Sequence, residues 1–275
     1  MQMRRLPIHL TKAKDPETMT LNPPIVPIPM VLGGKTIGDS AQTIINYFEN
    51  TRTRNTIQNF DYVAFINRKN FAAGLSPRIT QSTITAANWL NAAFSRGFPG
   101  NPLTAWFAPQ EATARWTLLT PAHTFMASDP NICNGFYDDM CEIWSHFVPV
   151  IATGKKIGIG ETQVNKVLHQ LYPDLFPIFD SKLNDLYQPF KTSCRSKVRA
   201  IRNRSCPDNR WNLDGFGWEP FRLDMLREQH KFAALRQQVA TLPCRNQSQI
   251  ASMPMQLWAS RNLSDVRLMD IVAWS

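Results

Sequence analysis

The sequence predicts a mainly α-helical fold, on three observations. Apolar residues recur at helical spacing in successive segments: Ala41, Ile44, Ile45 and Phe48; Val164, Val167, Leu168 and Leu171; Val266, Leu268, Met269, Ile271 and Val272. Between those segments lie Gly- and Pro-containing breaks, such as 97–102 and Pro173. Hydrophobic residues make up 43% of the 275 positions, enough for an ordinary globular core. No internal repeat or low-complexity tract interrupts this pattern.

Taken in order, residues 11–40 are proline-rich and irregular (LNPPIVPIPMVLGG), an extended arm rather than a domain. Asp39 or Ser40 is placed to cap a first helix whose apolar face is Ala41, Ile44, Ile45 and Phe48. A second helix is expected within 59–78, with Phe60, Val63, Ala64 and Phe65 turned inward, and a further helix within 79–102. Two or three more helices follow up to residue 154. Their aromatics Tyr137, Trp144 and Phe147, with His146, could line a pocket, but aromatics at helical spacing are read as core.

The centre of the chain is residues 154–187, GKKIGIGETQVNKVLHQLYPDLFPIFDSKLNDLY. A glycine turn at Gly158, Ile159 and Gly160 opens a helix carrying Val164, Val167, Leu168 and Leu171, which Pro173 closes. Phe176, Pro177, Ile178 and Phe179 form an apolar link, and Asp180 is set to cap the next helix. Backbone N–H groups at such a turn, at the positive end of a helix, suit a phosphate. Lys155, Lys156 and Lys166 add cationic charge beside it.

Residues 191–211 hold seven Lys/Arg against one acid, Asp208, in a chain of net charge +9 and pI ≈ 9.5. This stretch reads either as a grip on phosphates or as a solvated, partly mobile basic loop. A helix rich in Leu, Arg, Gln and Ala is expected within 215–243, and a last one in SDVRLMDIVAWS. Five scattered cysteines favour reduced, intracellular thiols. No apolar run is long enough for a membrane span, and residues 1–10 lack the apolar core of a secretory signal. No Cys/His pair has zinc-ligand spacing, and His123, His146, His169 and His230 are isolated.

The hairpin Gly158-Ile159-Gly160, followed without a gap by a helix, an apolar link and Asp180, resembles the helix-hairpin-helix DNA glycosylase superfamily. The similarity is firm over 154–187 and looser over 41–190, and FPIFD is similar to the adenine-excising branch. The ending L-M-D-I-V-A-W also resembles a poorly characterised bacterial family that joins this core to a terminal arginine-rich helix ending Asp-x-x-x-Trp. The resemblance implies a two-lobed helical fold with an irregular arm at 1–38. A helical domain at 39–190 would carry the hairpin and catalytic aspartate. A basic segment and C-terminal helices at 191–275 would pack back on the N-terminal helices.

It further implies that the protein flips a damaged or modified base out of duplex DNA and breaks its N-glycosidic bond. Asp180 would stabilise the positive charge developing on the sugar; its other reading is a simple helix cap. Bifunctional members carry a lysine where this chain has Thr162, so strand cleavage should be absent or weak. Lys166, one turn on, is expected to contact phosphate or serve structure, with a displaced nucleophile as the remaining option. The usual proline before the hairpin is replaced by Lys156-Ile157. Lys156, Gly158, Ile159, Gly160, Thr162, Lys166, Lys182, Arg195, Lys197 and Arg199 are the expected DNA contacts. A monovalent cation on the carbonyls of 158–160 would accompany them.

Asn67, Arg68 and Asn70 are candidates for a wedge into the duplex. Cys194, Cys206 and Cys244 do not reproduce the family's iron–sulfur pattern, so no cluster is expected. A cytoplasmic, nucleoid-associated monomer is expected. Two other classes stay open: a non-catalytic DNA-binding protein using the same hairpin, and a module whose basic segment binds another acidic partner. Among substrates, a hypermodified base of phage DNA would make the protein a defence enzyme.

Overall fold

A computed structural model describes residues 31–32, 34–50, 54–89, 107–108, 111–112, 114–147, 149, 151, 160–206, 218–245 and 249–274. The described residues are mainly helical. In chain order the helices are α1 (Ile37–Glu49), α2 (Arg54–Ala72), α3 (Gln81–Trp89), α4 (Phe136–Ser145), α5 (Glu161–Leu171) and α6 (Ser181–Ser205). They continue with α7 (Trp218–Glu228), α8 (Phe232–Thr241), α9 (Met255–Asn262) and α10 (Asp265–Ala273). A two-residue antiparallel ladder, β1 (Gln249–Ile250) and β2 (Met253–Pro254), turns the chain between α8 and α9. No helix among these residues is long and apolar enough to cross a membrane.

One continuous apolar core runs from Val31 to Val272. Helix α1 lays Ala41, Ile44, Ile45 and Phe48 against α8 and α10, while α2 and α3 close over α5. Tyr137, Trp144 and Phe147 are buried in this core. Thr36, rather than Asp39 or Ser40, caps α1: its hydroxyl accepts the Asp39 N–H at 3.0 Å. Ser40, one turn in, is instead buried. The helix expected within 215–243 is two, α7 and α8, joined by a short 3-10 turn at Gln229–Lys231.

Two further expectations are corrected. Residues 191–205 are not a loop: they continue α6, a 25-residue helix from Ser181 that runs through the exposed Pro189. Nor are all the thiols reduced. Cys133 and Cys206 form a disulfide with Cα atoms 5.7 Å apart, within ordinary disulfide reach. Their separation of 73 residues hides this pairing from any reading of local spacing. Beside it, Arg202 pairs with buried Asp138 at 2.5 Å, so the end of α6 is fastened once to the loop before α4 and once to its first turn.

Candidate functional site

Helix α5 is buried on every side from Val164 to Leu171, although only four of those residues are apolar. Among the polar ones, Asn165, His169 and Gln170 each hold at least one internal hydrogen bond. Asn165 Oδ1 accepts the Trp144 indole N–H at 3.2 Å. His169 Nδ1 donates to the Phe176 carbonyl at 2.7 Å, which fixes its tautomer, and its ring stacks on Phe60. The Gln170 side chain donates to the Phe60 carbonyl at 2.7 Å, and the Gln170 main-chain carbonyl accepts Asn67 Nδ2 at 2.7 Å.

The link after α5 is held as firmly. Phe176, Ile178 and Phe179 are buried, and Ser264, which caps α10 by accepting the Arg267 N–H, donates to the Pro173 carbonyl at 2.8 Å. The link delivers Asp180 to the N-cap of α6, where Oδ1 accepts the Leu183 N–H at 3.2 Å. Its Oδ2 accepts the indole N–H of Trp274. Lys182 in turn donates to the Trp274 carbonyl at 2.8 Å and lies over the indole, 4.4 Å from a ring centroid.

The N-termini of α5 and α6 thus meet at a cleft of about 180 Å³. Glu161, Thr162 and Asn165 line it from α5, and Asp180, Asn184 and Lys191 from α6 and its cap. Lys191 Nζ donates to Asn184 Oδ1 at 2.5 Å and sits 5.4 Å from the Phe179 ring centroid. Burial pulls the Lys191 pKa down, and Glu161 pulls it back up. Thr162 donates its hydroxyl to the Phe179 carbonyl at 3.3 Å.

Behind Asp180 lies a buried ionic cluster. Arg267 Nε meets Asp61 at 2.7 Å, while its two terminal nitrogens donate to Asp270 and the Tyr47 hydroxyl. Burial alone would favour discharging Arg267, but Asp61, Tyr47 and Asp270 outweigh it and raise its pKa. The Asp270 pKa is pushed up to about 7, first by burial and further by Asp180, against the pull of Arg267. Lys166 belongs to this interior: it is 6% exposed, and burial lowers its pKa while Asp180 and Asp270 oppose that.

Of the sequence-predicted residues, Asp180 and Thr162 share the cleft. Lys166, expected to contact phosphate or serve structure, is a buried group behind the cleft, with Asp180 and Asp270 the carboxylates acting on it. Gly160 has extended backbone (φ −131°), so it does not use the left-handed freedom expected of it. Its constraint is close approach: its N–H donates to Gln163 Oε1 at 2.9 Å, and an added Cβ would lie 3.2 Å from that oxygen. Lys156, Gly158 and Ile159, and with them the expected cation site, lie outside the described residues.

Arg195 and Arg199 are exposed along α6 and Lys197 is half-buried, while Lys182 is exposed but engaged with Trp274. The wedge candidates Asn67 and Arg68 are committed internally, Arg68 to Asp174 at 2.6 Å; Asn70 is exposed. The sequence singled out neither Asn165 nor Asn184, and gave Lys191 only as part of the basic run and Trp274 only as part of the Asp-x-x-x-Trp ending. Their signal was helical register: Asn165 is three residues after Thr162, Asn184 four after Asp180, and Trp274 four after Asp270.

The fold and site define a mainly helical protein with an aspartate-capped polar cleft where two helices begin. Residues 137–275 match the model of a family of unknown function (DUF6308), and the chain belongs to that family. The matched span opens in α4 and includes the cleft, Asp180 and Trp274. No curated protein and no solved structure matches the chain.

Proposed function

We propose that this protein is a monofunctional DNA glycosylase. It would flip a damaged or modified base from duplex DNA and excise it, leaving an abasic site. The supporting observation is the sharing of one cleft by Asp180 and Thr162. Asp180 is the carboxylate that would face the developing oxocarbenium charge and help orient water. Thr162 stands where a strand-cleaving relative carries its lysine, and Lys166 lies behind the cleft among buried carboxylates rather than in its lining. Duplex DNA is the partner, gripped by the hairpin and by Arg195, Lys197 and Arg199. A hypermodified base of phage DNA remains among the substrates to test.

A second reading has one observation in its favour. Both oxygens of Asp180 are engaged, by the Leu183 N–H and the Trp274 indole, as a purely structural cap would be. That reading makes the chain a non-catalytic helix-hairpin-helix DNA-binding protein. Abasic-site formation by wild type and Asp180→Asn on plain, damaged and naturally modified duplexes separates the two.

A further inference from the structure

The polar groups of the cleft are not interchangeable donors and acceptors. An indole N–H and a lysine ammonium can only donate. Trp144 therefore fixes the Asn165 carboxamide with its oxygen toward the indole, 3.2 Å away. Lys191 likewise fixes Asn184 with its oxygen toward Nζ, at 2.5 Å. What each amide has left to offer a ligand is its NH2 group. Lys191 spends one N–H on Asn184 and keeps two.

Asn165 is 1% exposed, so its orientation is set by packing rather than by solvent. The hydroxyl of Thr162, spent on the Phe179 carbonyl, can only accept from the cleft side. The α5 and α6 walls thus bring together two amide NH2 groups and one ammonium, with the carboxylates of Asp180 at the helix start and of Glu161 at the rim.

We infer that this cleft selects a base whose edge carries carbonyl oxygens, as in an oxopyrimidine or a 6-oxopurine, through Asn165, Asn184 and Lys191. The inference rests on the glycosylase reading and adds the substrate class to it. An exocyclic amine at the same place would point N–H against N–H, leaving buried donors unpaired. A site built this way discriminates by at least about 100-fold. Asn184→Asp replaces an NH2 donor by an acceptor of the same shape and keeps a partner for Lys191. Asn165→Asp makes the same change at the buried position.

The test uses the full chain with two readouts. The first is single-turnover abasic-site formation on matched duplexes carrying carbonyl-edged targets (uracil, hypoxanthine) or amino-edged targets (adenine opposite 8-oxoguanine, modified cytosines). The second is ligand-detected NMR with free uracil and free adenine, which needs no catalysis. We expect a preference of about 100-fold or more for carbonyl-edged targets, cut at least about tenfold by Asn184→Asp with the fold retained. A preference for amino-edged targets, no preference, or one that Asn184→Asp leaves unchanged overturns the inference while leaving a glycosylase. Selective binding of uracil that Asn184→Asp weakens, with no excision of any base, keeps the inference and removes the glycosylase reading. Binding of neither base together with no excision overturns both.

Discussion

Trp274 donates its indole N–H to Asp180 from 94 residues further along the chain. The carboxylate is therefore oriented from two sides, by its own helix through Leu183 N–H and by the end of α10. The indole is itself held, by Lys182 lying over its ring and donating to its carbonyl. Trp274 is 43% exposed, so it contributes little core area, and its hydrogen bond is its main structural contact with the site.

Trp274→Phe keeps an aromatic surface for Lys182 and removes only the N–H. A hydrogen bond to a charged group is worth about 1.5–3 kcal/mol. The melting temperature should fall by no more than the loss of that one bond, and DNA affinity should stay unchanged. The single-turnover excision rate should fall about tenfold or more, because the carboxylate loses its second orienting contact. A lower melting temperature with an unaltered rate would make Trp274 a structural residue only.

The basic residues of α6 divide into two kinds. Arg195 and Arg199 are exposed four residues apart on one stripe that begins at the cleft with Lys191. Arg202 turns inward to Asp138. Replacing both Arg195 and Arg199 by Ala should reduce the slope of log K against log salt by about 2, measured by fluorescence anisotropy on duplex DNA. Arg202→Ala should leave the slope alone and cost about 3–5 kcal/mol of stability, because Asp138 is left buried without its cation.

His169 supplies a pH dependence. Its pKa is lowered to about 3, chiefly by burial and further by Arg267, from an ordinary value near 6.5. The unfolded chain therefore binds a proton that the folded chain refuses. Stability is fully present above about pH 6.5 and is lost as pH falls from there toward 3, at about 1.4 kcal/mol per pH unit. Buried Asp270, whose pKa is raised to about 7, acts in the opposite sense. The His169 contribution is therefore read as the difference between wild type and His169→Asn in urea unfolding at a series of pH values. The stability of wild type relative to the variant should fall as pH falls through that window.

The disulfide closes a long segment between the loop before α4 and the end of α6. Loop-closure entropy for 73 residues is worth up to about 4 kcal/mol. Reduction, or Cys133→Ser with Cys206→Ser, should lower the melting temperature. Mass spectrometry of the alkylated protein checks which thiols are free.

Much of this architecture was legible in the sequence because local rules agree with the fold there. The apolar stripe of α1, the stop at Pro173, the Asp180 cap and the Ser264 start of α10 all follow from spacing and capping chemistry. What was not legible depends on partners far away in sequence. Lys166 reads as a surface cation until Asp270 and Asp180 are brought to it. Asn165 reads as a polar residue on a helix face until Trp144 donates to it. Cys133 and Cys206 carry no common motif. The basic run at 191–205 was ambiguous because its few apolar residues, Val198 and buried Cys194 among them, are too sparse to announce a helix face.

Under the glycosylase proposal, Asp180 takes part in cleaving an N-glycosidic bond. The most direct measurement is alkali-dependent strand breakage on a panel of plain, damaged and phage-modified duplexes, comparing wild type with Asp180→Asn. The asparagine keeps an oxygen for the Leu183 N–H and so keeps the cap. Hot-alkali-dependent breaks are expected with wild type, and a rate reduced at least about 1,000-fold in the variant. Equal breakage by both proteins, or tight DNA binding by both with no breaks on any substrate, would contradict the proposal.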